Sequence, residues 1–202
     1  MQLEPLRILI ADDDPLARQS LCDQISTIGH QVIAQAVNGR QALHFAAQLK
    51  PDLAILDVRM PDLDGLDAAR VIAERDNLPV IMLTAYDDEN LLERADQAGV
   101  LAYLLKPSDE KRLRAALHVA LARFQELQTL RSEVENLKQT LEIRKLVERA
   151  KGILMDRLAL SEGEAFKRLQ KRARDTNRKL GDVARAVIEA SDLMLPAGPR
   201  AG

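Results

Sequence analysis

The sequence predicts an α/β protein: a doubly wound sheet of five parallel strands, followed by one long helix and a small all-helical module. Two observations carry this. Short apolar runs alternate five times with helix-period segments over the first ~120 residues, the pattern of βα units whose strands are buried on both faces. From Ser108 the alternation stops and helical spacing alone continues to residue 193.

Taken in order, Arg7-Ile-Leu-Ile-Ala-Asp12 is a nearly continuous apolar run and makes the first strand. Pro15 to Ile28 shows helical spacing at Leu16, Leu21, Ile25 and Ile28, and Gly29 suits its C-cap. Gln31 to Val37 is the second strand, and Gly39 to Leu49 the second helix. Leu53-Ala-Ile-Leu-Asp57 is the third strand, with Leu66 to Glu74 the helix after it. Pro79 to Thr84 and Val100 to Leu105 complete the strands, with Glu89 to Ala98 as the helix between them.

From Ser108 to Leu141 there is neither Pro nor Gly, and apolar residues recur at Leu113, Leu117, Ala120, Phe124, Leu127, Leu130, Val134, Leu137 and Leu141. Their steps of three and four make a heptad rhythm with one irregularity near Leu127–Leu130. A stripe this long is more than a small sheet domain can cover, which points to a dimeric coiled coil; a lone signalling helix folded onto its own domain is the alternative. Three further helices are expected over 142–157, 161–175 and 179–193. Ser161-Glu-Gly-Glu164 fits a capping box, and the Pro/Gly-rich end reads as a frayed tail. The expected divisions are therefore 1–122, 123–141, 142–193 and 194–202.

Composition sets the class. The chain is 47% hydrophobic and 30% charged, the balance of a globular protein rather than a disordered one. No apolar run nears the ~20 residues of a membrane span, and the first residues lack a basic stretch leading into an apolar one, so no signal peptide is expected. Cys22 has no partner cysteine and reads as a small buried hydrophobe in a reducing cytoplasm. The net charge of −2 conceals an asymmetry: residues 1–130 hold 13 Lys/Arg against 20 Asp/Glu (−7), and residues 131–202 hold 16 against 11 (+5). An acidic front and a basic back suggest two domains with different partners.

In an open parallel sheet, ligands bind beyond the carboxyl ends of the strands near the topological switch point. On that edge the first strand supplies Asp12 and Asp13, the third Asp57, the fourth Thr84 and the fifth Lys106, followed by Pro107. Crowded carboxylates need a cation, and an all-oxygen set favours Mg2+. One carboxylate is then free to act as nucleophile toward a phosphoryl group, whose oxygens suit Lys106 and the Thr84 hydroxyl. Asp62 and Asp64, near Pro61 and Gly65, read as turn residues.

These residues resemble the response-regulator receiver family, through Asp12-Asp13, Asp57-Val-Arg-Met-Pro61 with Asp64-Gly65, Thr84-Ala85 and Lys106-Pro107. The resemblance spans residues 6–122 and implies a flavodoxin-like fold with Asp57 as the phosphoacceptor. It also implies Asp13, Asp57 and the backbone carbonyl of Arg59 as Mg2+ ligands, with Asp12 assisting, and Thr84 and Tyr103 as a switch pair. A sensor histidine kinase is the implied partner. Ser108 departs from the aromatic that many receivers carry after Lys-Pro, which leaves the shape of the output face open. Dehalogenase-type phosphohydrolases share the strand-end Asp but need an acid two residues on, where this chain has Arg59. There is no G-x-G-x-x-G or Walker loop. The expectation is a regulator, not an enzyme.

The C-terminal module carries Arg144, Lys145, Arg149, Lys151 and Arg157, then Lys167, Arg168, Lys171, Arg172, Arg174, Arg178 and Lys179. Between residues 163 and 181 there are seven basic and two acidic side chains, a face suited to phosphate backbones. Ala150-Lys-Gly-Ile-Leu-Met155, Ser161-Glu-Gly-Glu-Ala-Phe166, Leu169 and Val183-Ala184 resemble the ANTAR domain of antitermination regulators. That resemblance implies a three-helix module that acts as a dimer on paired RNA hairpins and blocks terminator formation. Arg144, Lys145, Arg149, Lys151, Arg168, Lys171, Arg172 and Arg178 are the expected RNA contacts. Gly152 implies either tight helix packing or close approach of a ligand; Phe166 suits the core better than base stacking. A DNA-binding output, and control by a protein partner rather than by phosphate, are the alternatives.

Overall fold

The computed structural model describes residues 4–84 and 99–194, in two compact units, residues 1–128 and 129–202. In the first, β1 (Arg7–Ala11), β2 (Gln31–Ala36), β3 (Leu53–Asp57), β4 (Val80–Thr84) and β5 (Ala102–Leu105) form one parallel sheet in the order β2-β1-β3-β4-β5. The order reverses between β1 and β3, so the switch-point crevice lies between the ends that carry Asp12 and Asp57. Ile8, Leu9, Ile10, Leu53, Ile55, Leu56, Ile81 and Met82 are fully buried, which is why these strands read as unbroken apolar runs.

Helices cover both faces. On one, α2 (Gly39–Leu49) and α3 (Gly65–Arg75) contribute Ala42, Ala46, Leu66, Ala69 and Ile72 to the core. On the other, α1 (Pro15–Thr27) and the start of α4 (Glu110–Leu158) contribute Leu21, Ile25, Leu113, Leu117 and Ala120. Each helix starts where its sequence provides a cap. Asp14 accepts from the Leu16 N–H ahead of Pro15, Asn38 from Gln41, Asp64 from Leu66 and Asp67, and Asp109 from Arg112. Gly29 follows α1 at φ +88°, the left-handed geometry its C-terminus requires. The helix expected over 89–98 and the tail beyond Met194 lie outside the described residues, as does Ala85.

No break separates two of the expected helical stretches. The linker helix and the first helix of the C-terminal module are a single 49-residue element, α4. Nothing between Leu141 and Glu142 supplies a cap, a Gly or a Pro, so the chain has no reason to leave the helix. The apolar stripe divides accordingly. Leu113, Leu117 and Ala120 are fully buried on the sheet and Phe124 is half-buried there, whereas Leu127, Leu130, Val134, Leu137 and Leu141 are 41%, 51%, 50%, 70% and 53% exposed.

The second unit packs the end of α4 against α5 (Glu162–Asp175) and α6 (Leu180–Met194) around Val147, Ala150, Leu169, Val183, Ala184 and Ile188. Burying a side chain such as Leu169 or Ile188 contributes roughly 1.5–3 kcal/mol, so so small a core leans on its caps. The capping box forms as expected: the Glu164 N–H donates to Ser161 Oγ (3.4 Å), and the Ser161 N–H donates to Glu164 Oε2 (2.9 Å). Phe166 packs against this core. No helix among the described residues is long and apolar enough to cross a membrane.

Candidate functional site

Strand ends bring Asp12, Asp57, Thr84 and Lys106 to one edge of the sheet, because four parallel strands all stop there. Asp12 follows β1 with its backbone N–H on the Ala36 carbonyl (3.2 Å), and Asp57 and Thr84 are the last residues of β3 and β4. Lys106 follows β5, its N–H on the Thr84 carbonyl (2.7 Å), and the Lys106–Pro107 peptide is cis. The Lys106 Nζ donates to Asp12 Oδ2 at 2.6 Å and to Asp57 Oδ2 at 2.7 Å. Asp12 is 1% exposed and Thr84 is buried, while Asp57 is half-buried and Asp13 exposed. The site is thus closed beneath and open above Asp57 and Asp13.

Electrostatics follow from that burial. Desolvation pushes the Asp57 carboxyl above the ordinary carboxylate range, and the hydrogen bond and charge of Lys106 pull against it. Burial also disfavours the Lys106 ammonium, but its bonds to Asp12 and Asp57 outweigh this and hold its pKa above the usual lysine value. A carboxylate made more basic in this way is a better nucleophile. Lys106 stays a cation that offsets only part of three negative charges.

One oxygen each from Asp12, Asp13 and Asp57 lies within 4.8 Å of the others. All-oxygen donors at that spacing fit a hard divalent cation such as Mg2+. Surrounding contacts hold the donors still. The Asp14 N–H donates to Asp12 Oδ1 (3.0 Å), and Arg18 Nη1 donates to the Asp12 carbonyl (2.6 Å); neither was singled out from the sequence, since one is a backbone amide and the other an arginine of α1 whose reach spacing does not disclose. After Asp57 the Val58 N–H donates to the Leu83 carbonyl (3.1 Å) and Gly65 N–H to the Val58 carbonyl (2.9 Å). A Cβ at Gly65 would lie 1.8 Å from the Asp57 carbonyl oxygen, so only glycine lets α3 start this close to the end of β3. Arg59 lies in the loop between, its side chain exposed. Tyr103, on β5 opposite Met82, packs half-buried against the α2/α3 face of the core. Ser108 bonds Gln24 of α1, its carbonyl accepting from Gln24 Nε2 (3.2 Å).

The basic residues of the second unit separate into two groups. Those on α4 are largely engaged. Lys151, 7% exposed, donates to Glu162 Oε1 (2.6 Å) and pairs with Glu148 Oε2 (2.9 Å), and these bonds raise its pKa, the Glu162 bond most. Arg149 pairs with Asp192 (3.2 Å), Lys145 with Glu142 (2.8 Å), and Arg157 donates to the Ser191 carbonyl (3.2 Å). Arg144 is exposed. By contrast Lys167, Arg168, Lys171, Arg172 and Arg174 on α5, with Arg178 and Lys179 after it, are all exposed and hold no side-chain ion pair among the described residues. Lys151, one of the expected RNA contacts, is thus engaged within the module: its ammonium joins α4 to α5, and Glu162, eleven residues away, is the partner that spacing did not disclose. Tight packing is not the reason for Gly152 either, since a Cβ there would meet no atom of another element within 4 Å.

Residues 8–118 match the response regulator receiver domain, and residues 135–188 match the ANTAR domain. The chain is 42% identical over 185 residues to the transcriptional regulatory protein PdtaR of Mycobacterium tuberculosis, covering 92% of this chain and 90% of that protein. It is 29% identical to the transcriptional regulatory protein YdfI of Bacillus subtilis, over 95% and 96% of the two chains. Among solved structures it is similar to the signal receiver domain of a modulated diguanylate cyclase from Desulfovibrio desulfuricans (TM-score 0.57, 30% identity, 60% of this chain and 98% of that one). It is also similar to a chain of the CheX-CheY-BeF3-Mg+2 complex from Borrelia burgdorferi (TM-score 0.53, 26% identity, 56% and 87%).

Proposed function

Because this chain belongs to the response regulators that join a receiver domain to an ANTAR domain, we propose that it is an RNA-binding transcription antiterminator switched by phosphorylation of Asp57. The observation that carries this is the convergence of Asp12, Asp13, Asp57, Thr84 and Lys106 on one sheet edge, in a chain whose second unit presents an exposed basic helix, α5. A sensor histidine kinase in the cytoplasm would supply the phosphoryl group.

Asp57 Oδ attacks phosphorus, the bond to the donor's leaving group breaks, and the aspartyl phosphate remains. Mg2+ would be held by Asp13, Asp57 and the carbonyl of Arg59, with Asp12 assisting, and when bound it neutralises carboxylate and phosphoryl charge. Lys106, already at 2.7 Å from Asp57, follows the charge from carboxylate to phosphoryl oxygen. The Thr84 hydroxyl is a further donor to that oxygen, and Tyr103 turns with it as the switch partner. RNA contact then falls to Arg168, Lys171, Arg172 and Arg178, with Arg144 and the α4 cations Lys145 and Arg149 at the margin.

Transcription of a template carrying two hairpins and a terminator tests the reading. Phosphorylated protein is expected to raise read-through several-fold and Asp57→Asn to leave it at the basal level. Equal read-through with both proteins would assign control to a protein partner instead.

Dimer formation is the second part of the proposal, supported by the exposed run Leu127, Leu130, Val134, Leu137, Leu141. Leu130→Glu with Leu137→Glu places charges in that seam and is expected to weaken self-association at least ~10-fold, at about 1.4 kcal/mol per decade. Sedimentation of the phosphorylated, RNA-bound wild type as a monomer would remove the coiled coil from the proposal.

A further inference from the structure

We propose that Asn38 is a positioning residue for the divalent-cation site, holding from the start of α2 the loop that carries the Arg59 carbonyl; this rests on the phosphoacceptor reading above. Asn38 uses both ends of its amide. Its Oδ1 accepts from the Gln41 N–H (2.9 Å) and caps α2, while its Nδ2 donates to Asp62 Oδ2 (3.0 Å) in the loop after β3. Gln41 Oε1 in turn accepts from the Val37 N–H (3.1 Å), so the anchor is itself held from both sides.

Backbone contact continues the clamp. The Gly39 N–H donates to the Leu63 carbonyl (3.2 Å), and a Cβ on Gly39 would come within 2.5 Å of that oxygen, so the first turn of α2 lies flush on the loop. Asp62 has φ +66°, the left-handed region that Asp enters more readily than most non-glycine residues, and so turns the loop toward α2. The far end of the loop is fixed by Asp64, which caps α3, and by Gly65 N–H on the Val58 carbonyl. Arg59 sits between Val58, whose carbonyl accepts from Gly65, and Asp62, which Asn38 holds. A carbonyl has no side-chain rotamer with which to reach a cation; only the path of its loop can aim it. Outer contacts of this kind change metal affinity about 10–100-fold in other sites.

Asn38→Ser separates this role from helix capping, since Ser is as good an N-cap as Asn but lacks the amide donor to Asp62. The charge at the site is unchanged. In the full-length chain, Mn2+ binding followed by loss of the free-ion spin-resonance signal is expected to weaken about 10-fold in Asn38→Ser, with the melting temperature of the metal-free protein unmoved. Asn38→Asp combined with Asp62→Asn exchanges donor and acceptor at constant charge, and is expected to return affinity to within about 2-fold of wild type. Wild-type affinity in Asn38→Ser, or a weakened site that the exchanged pair does not restore, overturns the role of Asn38. Absence of Mn2+ binding by the wild type would instead overturn the phosphoacceptor reading on which it rests.

Discussion

Incubated with Mg2+ and a small phosphodonor, the wild-type chain is expected to take up one phosphoryl group as an acid-stable, base-labile acyl phosphate, and Asp57→Asn is expected to take up none. The size of the effect follows from the geometry. Asp57 is where the open side of the site meets its cation, Lys106 Nζ being 2.7 Å from Oδ2, and burial has made its carboxylate more basic than a free one. An amide at that position keeps the shape but has no anionic oxygen to attack with. Asp12 does not substitute: it is 1% exposed, and both its oxygens are engaged, one by Lys106 and one by the Asp14 N–H. Asp13 is exposed and is the residue to which label would move if the assignment were wrong. Undiminished labelling of Asp57→Asn would mean that the nucleophile is another carboxylate.

The second large effect is expected at α5. Replacing Arg168, Lys171 and Arg172 by Ala together should lower RNA affinity at least ~10-fold and reduce the slope of log K against log salt by about 2–3 for each chain engaged, because each lost phosphate contact removes about 0.7–0.9 of a released counterion. Asp57 labelling should not change, since these residues lie in the second unit. Lys151→Ala should behave differently. Its ammonium already meets Glu148 and Glu162, so its loss loosens the packing of α5 on α4 and lowers the melting temperature while leaving the salt slope intact. A tandem RNA hairpin should outcompete a DNA duplex of the same sequence, since splayed loop bases and 2′-hydroxyls are absent from the duplex. The reverse order in that competition would establish a DNA-binding output.

Features that depend on near neighbours along the chain can be read before it folds. Strands β1, β3 and β4 are legible because burial on both faces demands runs such as Ile8-Leu9-Ile10, and the capping box because Ser161 and Glu164 bond each other three residues apart; the caps at Asp14, Asn38 and Asp64 emerge only in the folded chain. The cluster at the sheet edge was legible for a related reason: parallel strands must all end on one edge, so Asp12, Asp57, Thr84 and Lys106 are brought together by topology alone. Packing between distant elements assigns which residues of one periodic pattern are used where. Leu117 and Leu137 occupy the same heptad stripe, yet one is fully buried on the sheet and the other 70% exposed. Lys151 and Arg172 look alike in sequence, but Glu162 reaches the first and no carboxylate among the described residues pairs with the second. Asn38 and Asp62 are 24 residues apart and meet only because α2 packs beside the loop after β3. Helical and strand periods say which side chains share a face; what that face meets is set by the packing of elements distant in the chain.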